Sequence, residues 1–303
     1  MVKVNLKRYL AGLLAAAMTF TSVPVFAQAE TDKDAVILYT NDVHCAIDDY
    51  SKFAAYAAQL EADGQEVVIV DAGDAIQGEV IGTLTEGDAI IDLMNTVGYD
   101  YVIPGNHEFD YGMDKFLELA GEKSDFEYLS SNFVDLRTDS TVFNAYEIVE
   151  LNGEKIAFVG ITTPETLAST TPTYFQDGNG NYIYGFSQND LYAAVQKAVD
   201  AAIAEGAVRV IALGHLGITG ITEGWRSVDV IANTTGIDVL LDGHSEEVIP
   251  GTTYENKAGE DVLLSSTGLK FANFGKLILE DDNVEITELI DPENVKIESS
   301  EAS

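Results

Sequence analysis

From residue 35 onward, short apolar and β-branched runs alternate with longer stretches whose apolar positions recur at helical spacing. The runs at 36–40, 67–70, 101–103, 156–161, 208–213 and 239–241 are nearly all apolar, as strands covered on both faces are. Between them, the spacing predicts helices at 52–62, 88–96, 113–120, 189–204 and 228–233. Strands alternating with helices define an α/β fold. Asn152-Gly153, between the runs at 146–151 and 155–161, is a two-residue hairpin signal, so part of the sheet is antiparallel. The stretch at 171–186 breaks the rhythm, with Tyr174, Phe175, Tyr182, Tyr184 and Phe186 set among Gly and Asn. It reads either as a surface hairpin packing its own aromatics or as an aromatic loop over a ligand site.

Both ends of the chain depart from this pattern. Lys3, Lys7 and Arg8 precede an apolar run from Tyr9 to Phe20, and Ala27-Gln28-Ala29 supplies small residues for cleavage. Residues 1–29 therefore read as a secretory signal peptide, because the apolar run is far shorter than the ~20 residues that span a bilayer. The expected location is outside the cytoplasm: secreted, periplasmic or held at the cell wall. From Glu280 to the end, nine acidic residues face a single Lys, so 281–303 reads as an acidic tail or truncated linker and 30–280 as the folded domain.

Charge narrows the partners. Three of the 16 basic residues and none of the 51 acidic ones lie in the leader, which leaves a formal charge of −38 on the remainder. Nucleic acid polymers and anionic membranes are poor partners for such a surface, and a small anionic substrate needs a cation in its site. The single cysteine, Cys45, rules out an internal disulfide and a multi-thiolate metal site. Metal ligands then come from His, Asp, Asn and Glu.

Each of the four histidines follows an apolar run beside Asp, Asn or Gly: Asp42-Val43-His44, Gly105-Asn106-His107-Glu108, Gly214-His215 and Gly243-His244. A fifth run end supplies Asp71-Ala72-Gly73-Asp74. Any one of these histidines alone reads best as a hydrogen-bonded structural residue. Five strand ends carrying such side chains point instead to one crevice at the carboxyl edge of the sheet. Imidazole, carboxylate and amide oxygen together suit zinc, manganese or iron.

These segments, with Thr40-Asn41 before the first, Phe109-Asp110 after the second, Leu216-Gly217 after His215 and Asp242 and Ser245 around the last, resemble in order the metallophosphoesterase motifs of the 5'-nucleotidase family, within the calcineurin-like superfamily. The resemblance covers about residues 35–280 and implies a four-layer αββα sandwich of two mixed sheets flanked by helices. It implies that Asp42 and His44 bind a first divalent metal, that Asp74 bridges two, and that Asn106, His215 and His244 complete the second. His107 would then be the non-metal histidine that stabilises the transition state or protonates the leaving oxygen, with Asp110 orienting its ring. The implied reaction is metal-dependent hydrolysis of phosphomonoesters, nucleotides first, with cyclic nucleotides or nucleotide sugars as alternatives.

The sequence departs from the family pattern at two positions. Glu246 stands where relatives carry His or Gln as a ligand of the first metal, so it is a candidate ligand that adds negative charge and favours a harder ion. Cys45 stands where relatives carry a small residue, and reads as a half-buried filler. The family normally continues into a second domain that grips the base, and the chain stops where that domain would begin. Two other readings follow: a sulfur-oxidation hydrolase sharing these motifs, and a surface binding module that keeps its metals for stability only.

Overall fold

The computed structural model describes residues 35–280 and 284–296. The leader expected at 1–29 lies outside the described residues. Two six-stranded mixed sheets form the centre of the domain. In the first the order is Val284–Ile290, Phe274–Glu280, Ala35–Thr40, Glu66–Asp71, Tyr101–Val102, Glu127–Tyr128. In the second it is Val248–Glu255, Asp261–Thr267, Val239–Asp242, Arg209–His215, Glu154–Thr162, Tyr146–Leu151. The central strands of each pair in parallel; the outer pairings are antiparallel except at Glu127–Tyr128, which joins Tyr101–Val102 in parallel.

Period-2 alternation inside the strands explains the layering, because successive side chains leave opposite faces of a sheet. Ile37 and Tyr39 point into the layer between the sheets with Phe158, Ile211, Leu213 and Leu241, while Val36 and Leu38 point outward. On that outer side Phe53, Ile91 and Phe116 come from the helices Tyr50–Ala62, Asp88–Val97 and Met113–Glu118. Val210 and Ala212 face the helices Leu191–Ala204 and Ser227–Asn233 on the far side. Helix, sheet, sheet, helix is the αββα sandwich the motifs implied. The Leu191–Ala204 helix forms because Leu191, Val195, Ala198, Val199 and Ala202 make one buried stripe. Each fully buried Ile, Leu or Phe in these layers contributes roughly 1.5–3 kcal/mol.

The Asn152-Gly153 hairpin is formed, with φ of 50° and 79° joining Tyr146–Leu151 to Glu154–Thr162. Past residue 280 the chain differs from the acidic tail expected there. Val284–Ile290 pairs with Phe274–Glu280 along its whole length and closes the edge of the first sheet. Its Val, Ile, Thr and Leu residues supply the strand propensity that the acidic count obscured. The 171–186 stretch turns its phenylalanines inward. Phe175 and Phe186 are fully buried around Phe109, with ring centroids 5.3 and 5.5 Å from it, while Tyr182 stays exposed. This aromatic packing sits directly behind the His107 turn and holds it in place.

Candidate metal centre

The carboxyl ends of Ala35–Thr40, Glu66–Asp71 and Tyr101–Val102 meet those of Arg209–His215 and Val239–Asp242 at one edge of the sandwich. The loops that leave these strands are laced together by their backbones. Asp42 N donates to Gly73 O at 2.9 Å, His44 N to Asp74 O at 2.9 Å and Cys45 N to Ala75 O at 3.0 Å. Across the sheets, His244 N donates to the Asp42 carboxylate at 3.0 Å. Gly243 is required at this crossing, since a Cβ there would stand 2.9 Å from both Asp42 Oδ2 and His215 Nδ1.

Asp42, His44, Asp74, His244 and Glu246 all hold positive φ, between 47° and 76°. Left-handed backbone at non-glycine residues costs of order 1 kcal/mol each and persists only where the surroundings enforce it. Here five of the nine residues singled out from the sequence carry that strain, and it aims their side chains inward from short loops.

Two groups of side chains share Asp74. The nitrogen and oxygen atoms of His44, Asp74 and His107 that can bind a metal lie within 4.8 Å of one another, as do those of Asp74, His215 and His244. Around His44 Nε2, carboxyl oxygens of Asp42, Asp74 and Glu246 stand at 3.9, 3.8 and 3.6 Å. His215 Nε2 stands 3.1 Å from Asp74 Oδ2. Three buried polar atoms here, His44 Nε2, Asn106 Oδ1 and His215 Nε2, have no hydrogen-bond partner, although burying such atoms unpaired costs several kcal/mol in all. Their opposite ring nitrogens are committed: His44 Nδ1 donates to Gln77 O at 2.9 Å and His215 Nδ1 to Ala72 O at 2.7 Å. A carbonyl can only accept, so in its neutral form each ring keeps a bare Nε2 lone pair, that of His215 facing Asp74 Oδ2. That donor set fits divalent cations.

His107 differs from the other histidines. Its Nδ1 donates to Asp110 Oδ2 at 2.7 Å, its side chain is one-third exposed, and its ring centroid lies 5.2 Å from that of His44. The Asp110 hydrogen bond pushes its pKa up to about 9, against the opposing effect of burial. Burial raises Asp42 to about 7, with His215 pulling the other way. Burial would raise Asp74 too, but the surrounding histidines outweigh it and hold that carboxyl well below the usual range. His215 is pushed up to about 10 because Asp74 and Asp42 overcome its desolvation, while burial lowers His244.

All nine residues expected from the sequence converge on this edge. Glu246 reaches it from the rim, about half exposed. Cys45 is not half-buried but 1% exposed, with Sγ 3.5 Å from Ala75 O, so the tight lacing of the two loops leaves it no path to a metal or to solvent.

Sequence reasoning missed the residues that hold the loops. Asn41 accepts from Thr267 N and donates to Asp42 Oδ2, both at 2.7 Å. The buried Glu108 carboxylate accepts four backbone amides, from Asp74, Ala75, Ile76 and Gly105. Asp242 accepts Leu216 N and Gly217 N, and burial raises it to about 6. These three sit inside the motif segments and were readable as buried acceptors. Glu165 follows a strand that ends without a histidine, so no signal marked it.

The family model for calcineurin-like phosphoesterases matches residues 35–246. A 5'-nucleotidase of Diplobatis ommata is 30% identical over 229 residues, covering 69% of this chain and 37% of that protein. A 2',3'-cyclic-nucleotide 2'-phosphodiesterase/3'-nucleotidase of Salmonella typhimurium is 27% identical over 263 residues, 76% of this chain and 39% of that one. The chain thus spans well under half the length of these relatives. The crystal structure of a 5'-nucleotidase precursor from Thermus thermophilus superposes with a TM-score of 0.71 at 23% identity, over 86% of this chain and 55% of that one.

Proposed function

The chain belongs to the calcineurin-like phosphoesterase family, and from that premise we propose that it is an exported hydrolase of phosphomonoesters, nucleotides first, working with two divalent cations. The observation that carries this reading is the pair of ligand groups sharing Asp74, with three buried ligand atoms left unpartnered. Asp42, His44 and Glu246 would hold one cation, Asn106, His215 and His244 the other, and Asp74 both. Bound there, zinc, manganese or iron would neutralise a phosphoryl group and activate a water for in-line attack.

The protein's own contribution is positioning and a proton. The strained loops fix the ligand atoms before substrate arrives, so little reorganisation is needed during turnover. His107, held by Asp110 through Nδ1, keeps its Nε2 for the reacting phosphate. Protonated, it donates a hydrogen bond to the developing charge or a proton to the leaving oxygen. A metal-stabilised binding module needs no such pair, and this argues for catalysis.

Substrate choice separates the readings. Rates on AMP, 2',3'-cyclic AMP, a nucleotide sugar and an aryl phosphate are the test, with AMP and the aryl ester expected to be cleaved. Preference for the cyclic diester would favour the second reading, which the Salmonella relative supports. No described helix is long and apolar enough to cross a membrane. Export is part of this proposal and rests on the sequence of residues 1–29.

A further inference from the structure

We propose that Glu165 is the positioning carboxylate of the second cation's site: it fixes His244 in the tautomer that leaves Nδ1 as the ligand nitrogen. This rests on the two-cation reading above. Glu165 lies just past Glu154–Thr162, a strand that contributes none of the expected ligands. Its Oε2 stands 3.1 Å from His244 Nε2. Its Oε1 accepts Thr222 N at 2.7 Å and Thr222 Oγ1 at 2.5 Å, so the carboxylate is clamped from its other side.

An ionised carboxylate can only accept. The proton of a neutral His244 therefore sits on Nε2, and the lone pair on Nδ1. His44 and His215 show the opposite arrangement, with Nδ1 spent on a main-chain carbonyl, so that the neutral ring carries its lone pair on Nε2. Backbone carbonyls cannot be mutated away, whereas Glu165 can. Of the three candidate ligand histidines, His244 alone has its tautomer set by a side chain. The clamp also links three strand ends, because Thr222 lies in the loop between Gly217 and Ser227, which Asp242 anchors.

Replacing Glu165 with Gln creates a conflict in either orientation of the amide. One amide oxygen cannot serve both Thr222 and His244. Facing Thr222, it turns its NH₂ toward His244 and favours the Nδ1–H tautomer, which cannot bind a metal through that atom. Facing His244, it sets an NH₂ against the Thr222 backbone N–H, which can only donate.

The experiment has two readouts. In the metal-free wild-type protein, long-range ¹H–¹⁵N spectra of His244 should show the proton on Nε2; a proton on Nδ1 overturns the proposal without any variant. Calorimetric titration with zinc or manganese should show two sites in the wild type. In E165Q one site should weaken by roughly 10–100-fold while the other is unchanged, the range seen when outer-sphere partners of metal ligands are removed. Two sites of wild-type affinity in a folded E165Q would overturn it. Absence of paired sites in the wild type would instead remove the two-cation reading, and this proposal with it.

Discussion

Glu108 accepts the backbone amide of Asp74 at 2.8 Å, and through it the loop after the second strand is tied to the loop after the third. Its four amide donors come from residues 74–76 and 105, while the residues on either side of it in sequence are His107 and Phe109. The side chain is fully buried, so the bonds form out of water and their loss is felt in full. Glu108→Gln keeps the shape but turns an NH₂ toward amide donors. The expected loss is about 2–4 kcal/mol of unfolding free energy, read by urea denaturation of the metal-free protein, together with weaker cation binding. A stability within 0.5 kcal/mol of wild type would show that Glu108 does not hold the loops.

His107→Ala should lower turnover by roughly 10²–10⁴-fold, the usual contribution of a positioned acid. Both cations should stay bound, as judged by elemental analysis after dialysis. Asp110→Asn should give a smaller loss, because the ring remains but its orienting acceptor is weakened. Loss of a cation in His107→Ala would place His107 among the ligands, a role its proximity to His44 and Asp74 leaves open to test.

Cys45 should be inert. Burial pushes its thiol up to about 12, and at pH 8 only about one thiolate in 10⁴ is present. A colorimetric disulfide reagent should therefore react with the folded protein only at its unfolding rate, and at once in denaturant. As the pH rises the thiolate fraction increases, so any reaction of the native state should appear only toward strongly alkaline pH. Rapid labelling at pH 8 would show that the loop from Asp42 to Cys45 opens.

Phe109→Ala should cost about 3–5 kcal/mol, since its ring packs on Phe116, Phe133, Phe175 and Phe186. Because Phe109 follows Glu108 in the same short turn, cation binding should weaken along with stability. A stable variant with unchanged cation affinity would separate the aromatic cluster from the site.

The candidate metal-binding residues were legible because chemistry demands few residue types, and this chain has only four histidines, each just past an apolar run. The doubly covered strands were legible for a similar reason, since runs such as Ala35–Thr40 bury both faces. What holds the site was not legible. Glu108 sits beside His107 in sequence but acts on amides some thirty residues earlier, and Glu165 reaches His244 from 79 positions away. The left-handed backbone of Asp42, His44 and Asp74 is imposed by contacts between loops, which no local propensity encodes. The strand Val284–Ile290 was hidden by its acidic residues, because charge count and β propensity pull a sequence reading in opposite directions.

The most direct test of the account is phosphate release from an aryl phosphate and from AMP by the protein after chelation, before and after manganese or zinc is restored. The account predicts no turnover in the stripped protein and recovery that follows the binding of two ions per chain. Two ions bound with no phosphate released from either ester would contradict it and leave the site as a binding module.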